Sequence, residues 1–226
     1  MNRETCAVVI MAKFPEPGKV KTRLQPFLTP DESADLAKCF LQDTVNKAFT
    51  VSKNIFISYT PEENLEDFVK LLPEKFNFKA QLGVDLGDKM LSAFQFAFDL
   101  NFEYVVLLGT DSPTLPTSFI TNSFEILRNK DVVIGETTDG GFYLIGLKKT
   151  DKLNLELFDQ VKWSSSNTFR QTKSNFEKFN LSFYELPIFY DIDTPDDLAK
   201  LQKDQFLQHF APITYQYFST KKDTKL

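Results

Sequence analysis

CAVVIMAKFPEPGKVKTRL, residues 6–24, is the stretch that decides the fold. Its first six residues are apolar without alternation, which is typical of a strand covered by helices on both faces. The loop that follows carries Lys13, Lys19, Lys21 and Arg23, opposed only by Glu16. Open α/β sheets bind ligands outside the carboxyl ends of their strands. We therefore expect an α/β fold with a ligand site beside this loop.

The rest of the chain alternates short apolar runs with helical patterns. This alternation predicts a mostly parallel central sheet with right-handed crossovers and helices on both faces, a three-layer α/β/α architecture. A Gly140-Gly141 break and the later strands predict a small antiparallel part. We expect a single domain over residues 1–226, with a C-terminal tail from 209. The predicted strands are at 6–11, 54–58, 104–108, 132–134, 141–147, 182–186 and 188–192, and the predicted helices begin near 30, 62, 87, 117, 168 and 195.

The composition of the chain argues against several functional classes. The 226 residues include 26 Lys plus Arg and 31 Asp plus Glu, a net charge of −5 that argues against a general nucleic-acid binder. A single histidine, His209, argues against zinc or triad chemistry based on histidine. Nowhere do 18 apolar residues run together, so we expect no membrane span. Two cysteines in apolar segments favour a reducing compartment, and cytoplasmic location follows as the default expectation.

Acidic residues follow two of the predicted strands. Asp111 comes just after residues 104–108, where a carboxylate can hold Mg²⁺ (or Mn²⁺) against phosphate oxygens. An Asp-Ser-Pro turn explains Asp111 equally well. Asp191 and Asp193 lie two residues apart on a predicted strand and should point the same way. The Thr194-Pro195 pair after them is a helix start, which needs neither carboxylate.

A family resemblance rests on four spaced motifs. The first is MAKxPxPGxVKTRL at residues 11–24, and the others are GTDSPTL at 109–115, DGGFYLIG at 139–146 and DIDTPDDL at 191–198. Together they resemble glycosyltransferase-like proteins of the nucleotide-diphospho-sugar transferase superfamily, relatives of phospholactate and molybdenum-cofactor guanylyltransferases. Some members are associated with arsenosugar biosynthesis. The resemblance spans roughly residues 6–201 and implies the glycosyltransferase A fold.

The resemblance also implies roles for individual residues. Asp111 and Asp193 would hold the metal, with Asp191 the weaker candidate, and both should face one cleft. Lys21, Arg23, Asp111 and Asp139 would be catalytic, Asp139 as a base near the acceptor. Gln81 and its loop would read the nucleotide base, whereas Trp163 is more typical of core than of base stacking. The implied nucleotide-binding set is Lys13, Gly18, Lys19, Lys21, Arg23, Gln81 and Gly87.

Three functions remain open at this stage. A Mg²⁺-dependent glycosyltransferase would move a sugar from a nucleotide sugar to a small acceptor, and the glycosyltransferase-like resemblance favours it. A nucleotidyltransferase would use a nucleoside triphosphate and release pyrophosphate. Four loop cations and Pro113, which stands where many sugar transferases have a second Asp, favour that alternative. However, no Lys or Arg occurs between Lys89 and Arg128, so the Asp111 segment brings no cation for an α-phosphate. The third possibility is a nonenzymatic nucleotide-binding protein.

Overall fold

A computed structural model describes residues 3–25, 27–72, 76–151 and 156–222. Its centre is a seven-stranded sheet in the order β3-β2-β1-β4-β6-β5-β7. All neighbouring strands are parallel except β6, which runs antiparallel to both β4 and β5. The sequence-based prediction of a mostly parallel sheet with a small antiparallel part is confirmed. The strands are β1 (Cys6–Lys13), β2 (Ile55–Thr60), β3 (Asn77–Ala80), β4 (Tyr104–Leu108), β5 (Val132–Thr137), β6 (Phe142–Lys148) and β7 (Phe183–Phe189).

Helices cover both faces of the sheet. Helix α1 begins with a capping box, in which Thr29 accepts from the Glu32 backbone and Glu32 accepts from the Thr29 backbone. Helix α6 begins in the same way at Thr194. Among the described residues, no helix is long and apolar enough to cross a bilayer. The helices are α1 (Pro30–Val51), α2 (Leu65–Leu71), α3 (Leu86–Asp99), α4 (Thr117–Leu127), α5 (Thr168–Lys178), α6 (Pro195–Lys203), α7 (Leu207–Phe210) and α8 (Pro212–Lys222).

Strand β1 is buried on both faces, as its unbroken apolar sequence predicts. Val8 and Ile10 contribute to a core cluster with residues of α1, α2 and α4. Ala7 and Val9 contribute to a second cluster with residues of α3 and α5. Because successive side chains of a strand point to opposite faces, each apolar residue of β1 enters one of the two cores. The sheet is therefore the middle of three layers.

The order of the strands fixes where a ligand site should lie. The chain leaves β1 for β2 and β3 on one side, then returns in β4 on the other side of β1. In open α/β sheets, such a switch point leaves a crevice outside the carboxyl ends of the two strands. Lys13 ends β1 at this edge, and Gly109 follows β4 there. The fold thus brings the basic loop and the Asp111 segment together.

A third, smaller core lies beneath the basic loop. Helix α8 is fixed to α1 by Asp43, whose carboxylate accepts hydrogen bonds from the backbone nitrogens of Ile213 (3.0 Å) and Thr214 (2.9 Å). Leu24 of the basic loop and Ile192, the residue before Asp193, share this core with the C-terminal helices. The buried residues of this cluster are Leu24, Leu36, Phe40, Ile192, Leu198, Leu201, Leu207, Ala211 and Phe218.

The structure corrects three sequence-based assignments. Most of the tail expected from residue 209 is helix α8, whose Phe218 is buried in the third core. The strands expected at 182–186 and 188–192 are one strand, β7. Pro187 does not interrupt it, since β7 is an edge strand and needs no partner on its outer side. Strand β3 was missed because only four residues form it and none is fully buried.

A buried lysine links α1 to the segment after Asp111. Its environment predicts how the free energy of unfolding changes with pH. Lys47 is 7 % exposed and donates a hydrogen bond from Nζ to the Pro113 carbonyl (2.7 Å). Burial lowers the pKa of Lys47 from 10.5 to about 8. Between about pH 8 and pH 10.5, Lys47 is protonated in the unfolded chain but deprotonated in the native protein. The free energy of unfolding should therefore rise with pH over this window, by up to about 3 kcal/mol.

Urea unfolding of the wild type and of Lys47→Met from pH 7 to pH 10 measures this contribution. In the variant, the part of the increase that Lys47 causes should be absent. The difference in the free energy of unfolding between the wild type and Lys47→Met should therefore change steadily with pH across this window. Parallel pH profiles for the two proteins would show that Lys47 keeps an ordinary pKa.

Candidate nucleotide and metal site

Lys21 is the residue around which the site is built. Its backbone is left-handed (φ 47°, ψ 37°) at the start of the short 3-10 turn Thr22–Leu24. A non-glycine residue in this conformation stores strain of roughly 1–3 kcal/mol, and such strain is often found at functional sites. The next turn is anchored by Leu24, which is fully buried in the third core. The loop thereby directs the Lys21 side chain inward, where only 7 % of it is exposed.

Three oxygen atoms surround the Lys21 ammonium. Nζ lies 2.5 Å from Asp111 Oδ1 and 3.1 Å from Asp193 Oδ1, and it donates a third hydrogen bond to the Ile192 carbonyl at 2.7 Å. The Ile192 backbone nitrogen in turn donates to the Asp111 carbonyl (2.9 Å), which ties the two acidic segments together. Burial by itself lowers the pKa of Lys21, but the charges of Asp111 and Asp193 outweigh it and raise the pKa above its usual value. The ammonium is therefore charged at neutral pH.

The other loop cations border the same cavity, which has a volume of about 500 Å³. The Arg23 guanidinium lies 3.3 Å from Asp193 Oδ2 and is mostly exposed. Lys13 donates to the Lys19 carbonyl (2.8 Å), and Lys19 pairs with Glu16 at 2.8 Å. All four cations line the cavity, together with Asp111, Asp193 and Gln81. The cavity is therefore lined by both the four loop cations and the two carboxylates.

A group of three carboxylates extends the acidic side of the site. Asp139, Asp191 and Asp193 each offer one oxygen, and these oxygens all lie within 4.8 Å of one another. Asp139 is oriented by Thr137 Oγ1 (2.6 Å) and by the Gly141 backbone nitrogen (3.0 Å), both of which donate to its Oδ1. Burial and then the charges of Asp139 and Asp193 raise the pKa of Asp191 to about 6. Carboxylate oxygens at this spacing are suitable ligands for Mg²⁺ or Mn²⁺.

The structure brings some of the expected nucleotide-binding residues together and leaves others outside. Gln81 borders the cavity and donates from Nε2 to the Ser58 carbonyl (2.9 Å). Gly87 lies within α3, where an added Cβ would come within 2.8 Å of both Phe158 and Trp163. Gly87 therefore serves helix packing, and the described residues that line the cavity do not include it or Gly18. Gly18 has φ 76° and forms the turn of the loop.

Two features of the site escaped the sequence analysis. The segment around Asp111 contains no Lys or Arg, and the sequence led us to expect only that Lys21 or Arg23 points into the same cleft; the direct contact of Lys21 with Asp111 was not foreseen. Asp191 ranked as the weaker acidic candidate, but it lies in the three-carboxylate group whereas Asp111 does not. Both features depend on contacts between segments far apart in the sequence, which no local pattern reports. As predicted, Asp111 and Asp193 face one cavity; whether they bind a metal stays a prediction.

Known proteins share this fold over nearly the whole chain. A crystal structure from Desulfovibrio desulfuricans G20, of a protein provisionally named a nucleotide-diphospho-sugar transferase, is 32% identical; the match covers 97% of this chain and 96% of that one, with a TM-score of 0.89. The 2-phospho-L-lactate guanylyltransferase of Methanocaldococcus fervens is 26% identical over 188 residues, 81% of this chain and 79% of that protein. The 4-diphosphocytidyl-2C-methyl-D-erythritol synthase of Anaerococcus prevotii is 12% identical and shares the fold, covering 86% of this chain and 95% of its own with a TM-score of 0.57.

These matches confirm the resemblance to the nucleotide-diphospho-sugar transferase superfamily and the fold that it implies. The family described as "Uncharacterized protein conserved in bacteria (DUF2064)" matches residues 30–165, more than half of the sequence. The chain therefore belongs to the DUF2064 family.

Proposed function

We propose that this protein is a nucleotidyltransferase, which transfers a nucleoside monophosphate from a nucleoside triphosphate to a small acceptor and releases pyrophosphate. The observation that carries the proposal is the position of Lys21, whose ammonium lies 2.5 Å from Asp111. An α-phosphate bound against Asp111 needs a cation beside it, because negative charge must be offset where the acceptor attacks. The expectation of glycosyl transfer rested partly on the lack of such a cation. Glycosyl transfer is not confirmed, and the position of Lys21 beside Asp111 removes that argument for it.

The remaining loop cations suit the leaving group. Pyrophosphate leaves with more negative charge than the nucleoside diphosphate that a sugar transferase releases, and nearby cations stabilise that charge. Arg23 is mostly exposed at the cavity, and its planar guanidinium can hold phosphate oxygens with two hydrogen bonds. Lys13 and Lys19 border the same cavity. The third possibility, a nonenzymatic binder, would be favoured if the acidic groups failed to converge; the grouping of Asp139, Asp191 and Asp193 supports an enzyme instead.

The proposed reaction is a single displacement at phosphorus. An acceptor oxygen forms a bond to the α-phosphorus, and the bond from that phosphorus to the oxygen bridging the β-phosphate breaks. Pyrophosphate leaves with that bridging oxygen. When the acceptor is a hydroxyl group its proton passes to a base, for which Asp139 is our candidate because Thr137 and Gly141 fix its carboxylate. A phosphate acceptor attacks without losing a proton.

The oxygen atoms of the site fit a divalent cation. Asp111, Asp193 and the Ile192 carbonyl already surround one cation, and Asp139 and Asp191 stand beside Asp193. Mg²⁺ takes oxygen ligands of this kind and keeps several waters for a bound phosphate. When bound, it would neutralise charge on the phosphate oxygens during transfer. We propose Asp111 and Asp193 as its protein ligands, with Asp191 as a further one.

We propose GTP as the nucleotide donor. Two relatives matched over 81% and 88% of this chain are named 2-phospho-L-lactate guanylyltransferase, which supports a guanine base. Gln81 supports it too. Its amide nitrogen is engaged by the Ser58 carbonyl, so its oxygen is the natural partner for a base, and guanine offers N–H donors to such an oxygen. Mg²⁺-dependent release of pyrophosphate from GTP tests the function, with a nucleotide sugar as the comparison.

The affinity for GTP should depend on Arg23. Loss of a hydrogen bond to a charged group costs about 1.5–3 kcal/mol, so Arg23→Ala should weaken GTP binding by roughly 10- to 150-fold. Lys148→Ala is the matched control, since Lys148 ends β6 beside the Tyr104 ring, at the opposite end of β4 from Asp111. Calorimetric titration of both variants with GTP and Mg²⁺ makes the comparison. Equal affinities for Arg23→Ala and Lys148→Ala would remove the basic loop from the nucleotide site.

A further inference from the structure

The Lys21 ammonium sits in a cage of oxygen atoms of the kind that binds metal ions. Its three partners are carboxylate oxygens of Asp111 and Asp193 and the Ile192 carbonyl, at 2.5, 3.1 and 2.7 Å. They come from two different elements, the segments after β4 and after β7. Two carboxylates that share one partner at these distances repel each other when no cation lies between them. Lys21 therefore offsets part of the repulsion between the two carboxylates while the protein is free of ligand.

Several features make Lys21 a built-in part of this cage rather than a surface ion pair. Its side chain is 7 % exposed, whereas that of Asp111 is 52 % exposed, so the lysine approaches from the protein side and the carboxylate stays open to the cavity. The backbone of Lys21 adopts a left-handed conformation that non-glycine residues avoid. The Phe40 ring lies below, with its centroid 5.7 Å from Nζ. The backbone of Lys21 is therefore in an unfavourable conformation, and its ammonium lies between the two carboxylates.

We propose that Lys21 is an internal substitute for the metal ion: it holds Asp111 and Asp193 in a metal-binding arrangement and leaves them when the ion binds. This inference rests on the proposed function. A divalent ion needs the same oxygens at about 2.1 Å, so Lys21 must withdraw before the ion can bind both carboxylates. A triphosphate in the cavity gives the released ammonium a new anionic partner. Metal and nucleotide therefore bind with positive coupling, and each raises the affinity of the other.

Mn²⁺ binding to the nucleotide-free protein, followed by electron paramagnetic resonance of the free ion, tests the proposal. Lys21→Met removes the competing ammonium, so it should bind Mn²⁺ at least ten-fold more tightly than the wild type. Lys70→Met loses the same charge from an exposed position on α2 and should match the wild type. An equal or weaker Mn²⁺ affinity in Lys21→Met would overturn the proposal, because it would show that Lys21 does not compete for the site.

Acetylation of the wild-type protein provides a second readout that does not require the variant to fold. Without metal, Lys21 should react slowly, since its ammonium is buried and makes three hydrogen bonds. Saturating Mn²⁺ without nucleotide should accelerate its acetylation several-fold, measured by mass spectrometry, and leave Lys70 unchanged. A Lys21 rate that does not respond to bound Mn²⁺ contradicts the proposal.

A separate arm distinguishes this proposal from the function on which it rests. Binding of GTP to the wild type is measured with and without Mn²⁺. Failure of GTP to bind in either condition counts against the nucleotidyltransferase, whatever the Mn²⁺ affinities of the variants. A different result would count only against the role of Lys21 and not against the nucleotidyltransferase. In that case GTP would bind equally well with and without Mn²⁺, and Lys21→Met would bind Mn²⁺ with the affinity of the wild type.

Discussion

Asp111→Asn should reduce the rate of pyrophosphate release from GTP by roughly 10³-fold or more. The substitution keeps the size of the side chain but removes the charge that contacts Lys21 and faces the cavity. Both the position of Lys21 and the proposed metal site depend on that charge. Initial rates at saturating GTP and Mg²⁺ give the effect, and a thermal melt checks that the variant is folded.

Asp196→Asn is the matched control for this experiment. Asp196 is an exposed residue in the first turn of α6, three positions after Asp193, so its substitution changes the charge near the site by the same amount. Its rate should stay within a few-fold of the wild type. Comparable rates for the two variants would mean that Asp111 acts only through the general electrostatic field, and the proposed metal site would lose its main ligand.

Phe40→Ala should lower the free energy of unfolding by about 3–5 kcal/mol. Phe40 is fully buried and belongs to the core that joins Leu24 of the basic loop to Ile192 and the C-terminal helices. Its ring also lies under the Lys21 ammonium. The cavity left by the substitution should loosen the loop and weaken GTP binding even where the protein remains folded. Urea unfolding and GTP titration at low temperature measure the two effects.

Phe124→Ala separates the loss of stability from the effect on the site. Phe124 is equally buried, but it lies on α4 in the core cluster that contains Val8 and Ile10. We expect a similar loss of stability with GTP affinity close to the wild type. If both variants lose GTP affinity to the same extent, the third core has no special connection to the basic loop.

The architecture could be predicted from the sequence because its determinants are local. The unbroken apolar run in β1 indicates a strand buried on both faces, and Thr29-Pro30 and Thr194-Pro195 mark helix starts that the structure shows with complete capping boxes. Local patterns failed where tertiary contacts decide the outcome. Helix α8 owes its place to the buried carboxylate of Asp43, which lies about 170 positions earlier in the chain.

The site could be predicted only in part, for the same reason. Residue types and strand ends pointed to the basic loop and to Asp111, and the family resemblance pointed to Asp193; the structure places all of them around one cavity. The partners of Lys21 and Arg23 could not be read from the sequence, because these two side chains form their ion pairs across the fold. Lys21 illustrates the difference. In the sequence it is one of four loop cations, whereas in the structure it is the buried ammonium between two carboxylates.

The most direct test of the nucleotidyltransferase assignment is a product analysis of the purified protein with Mg²⁺. GTP labelled at the γ-phosphate is incubated with a panel of phosphorylated hydroxy acids and sugar phosphates, and a GDP-sugar is incubated with the same panel in parallel. We predict labelled pyrophosphate from GTP with at least one acceptor, its loss in Asp111→Asn, and no GDP from the sugar nucleotide. GDP released from the GDP-sugar, with no pyrophosphate from GTP under any condition, would contradict the account and identify the protein as a glycosyltransferase.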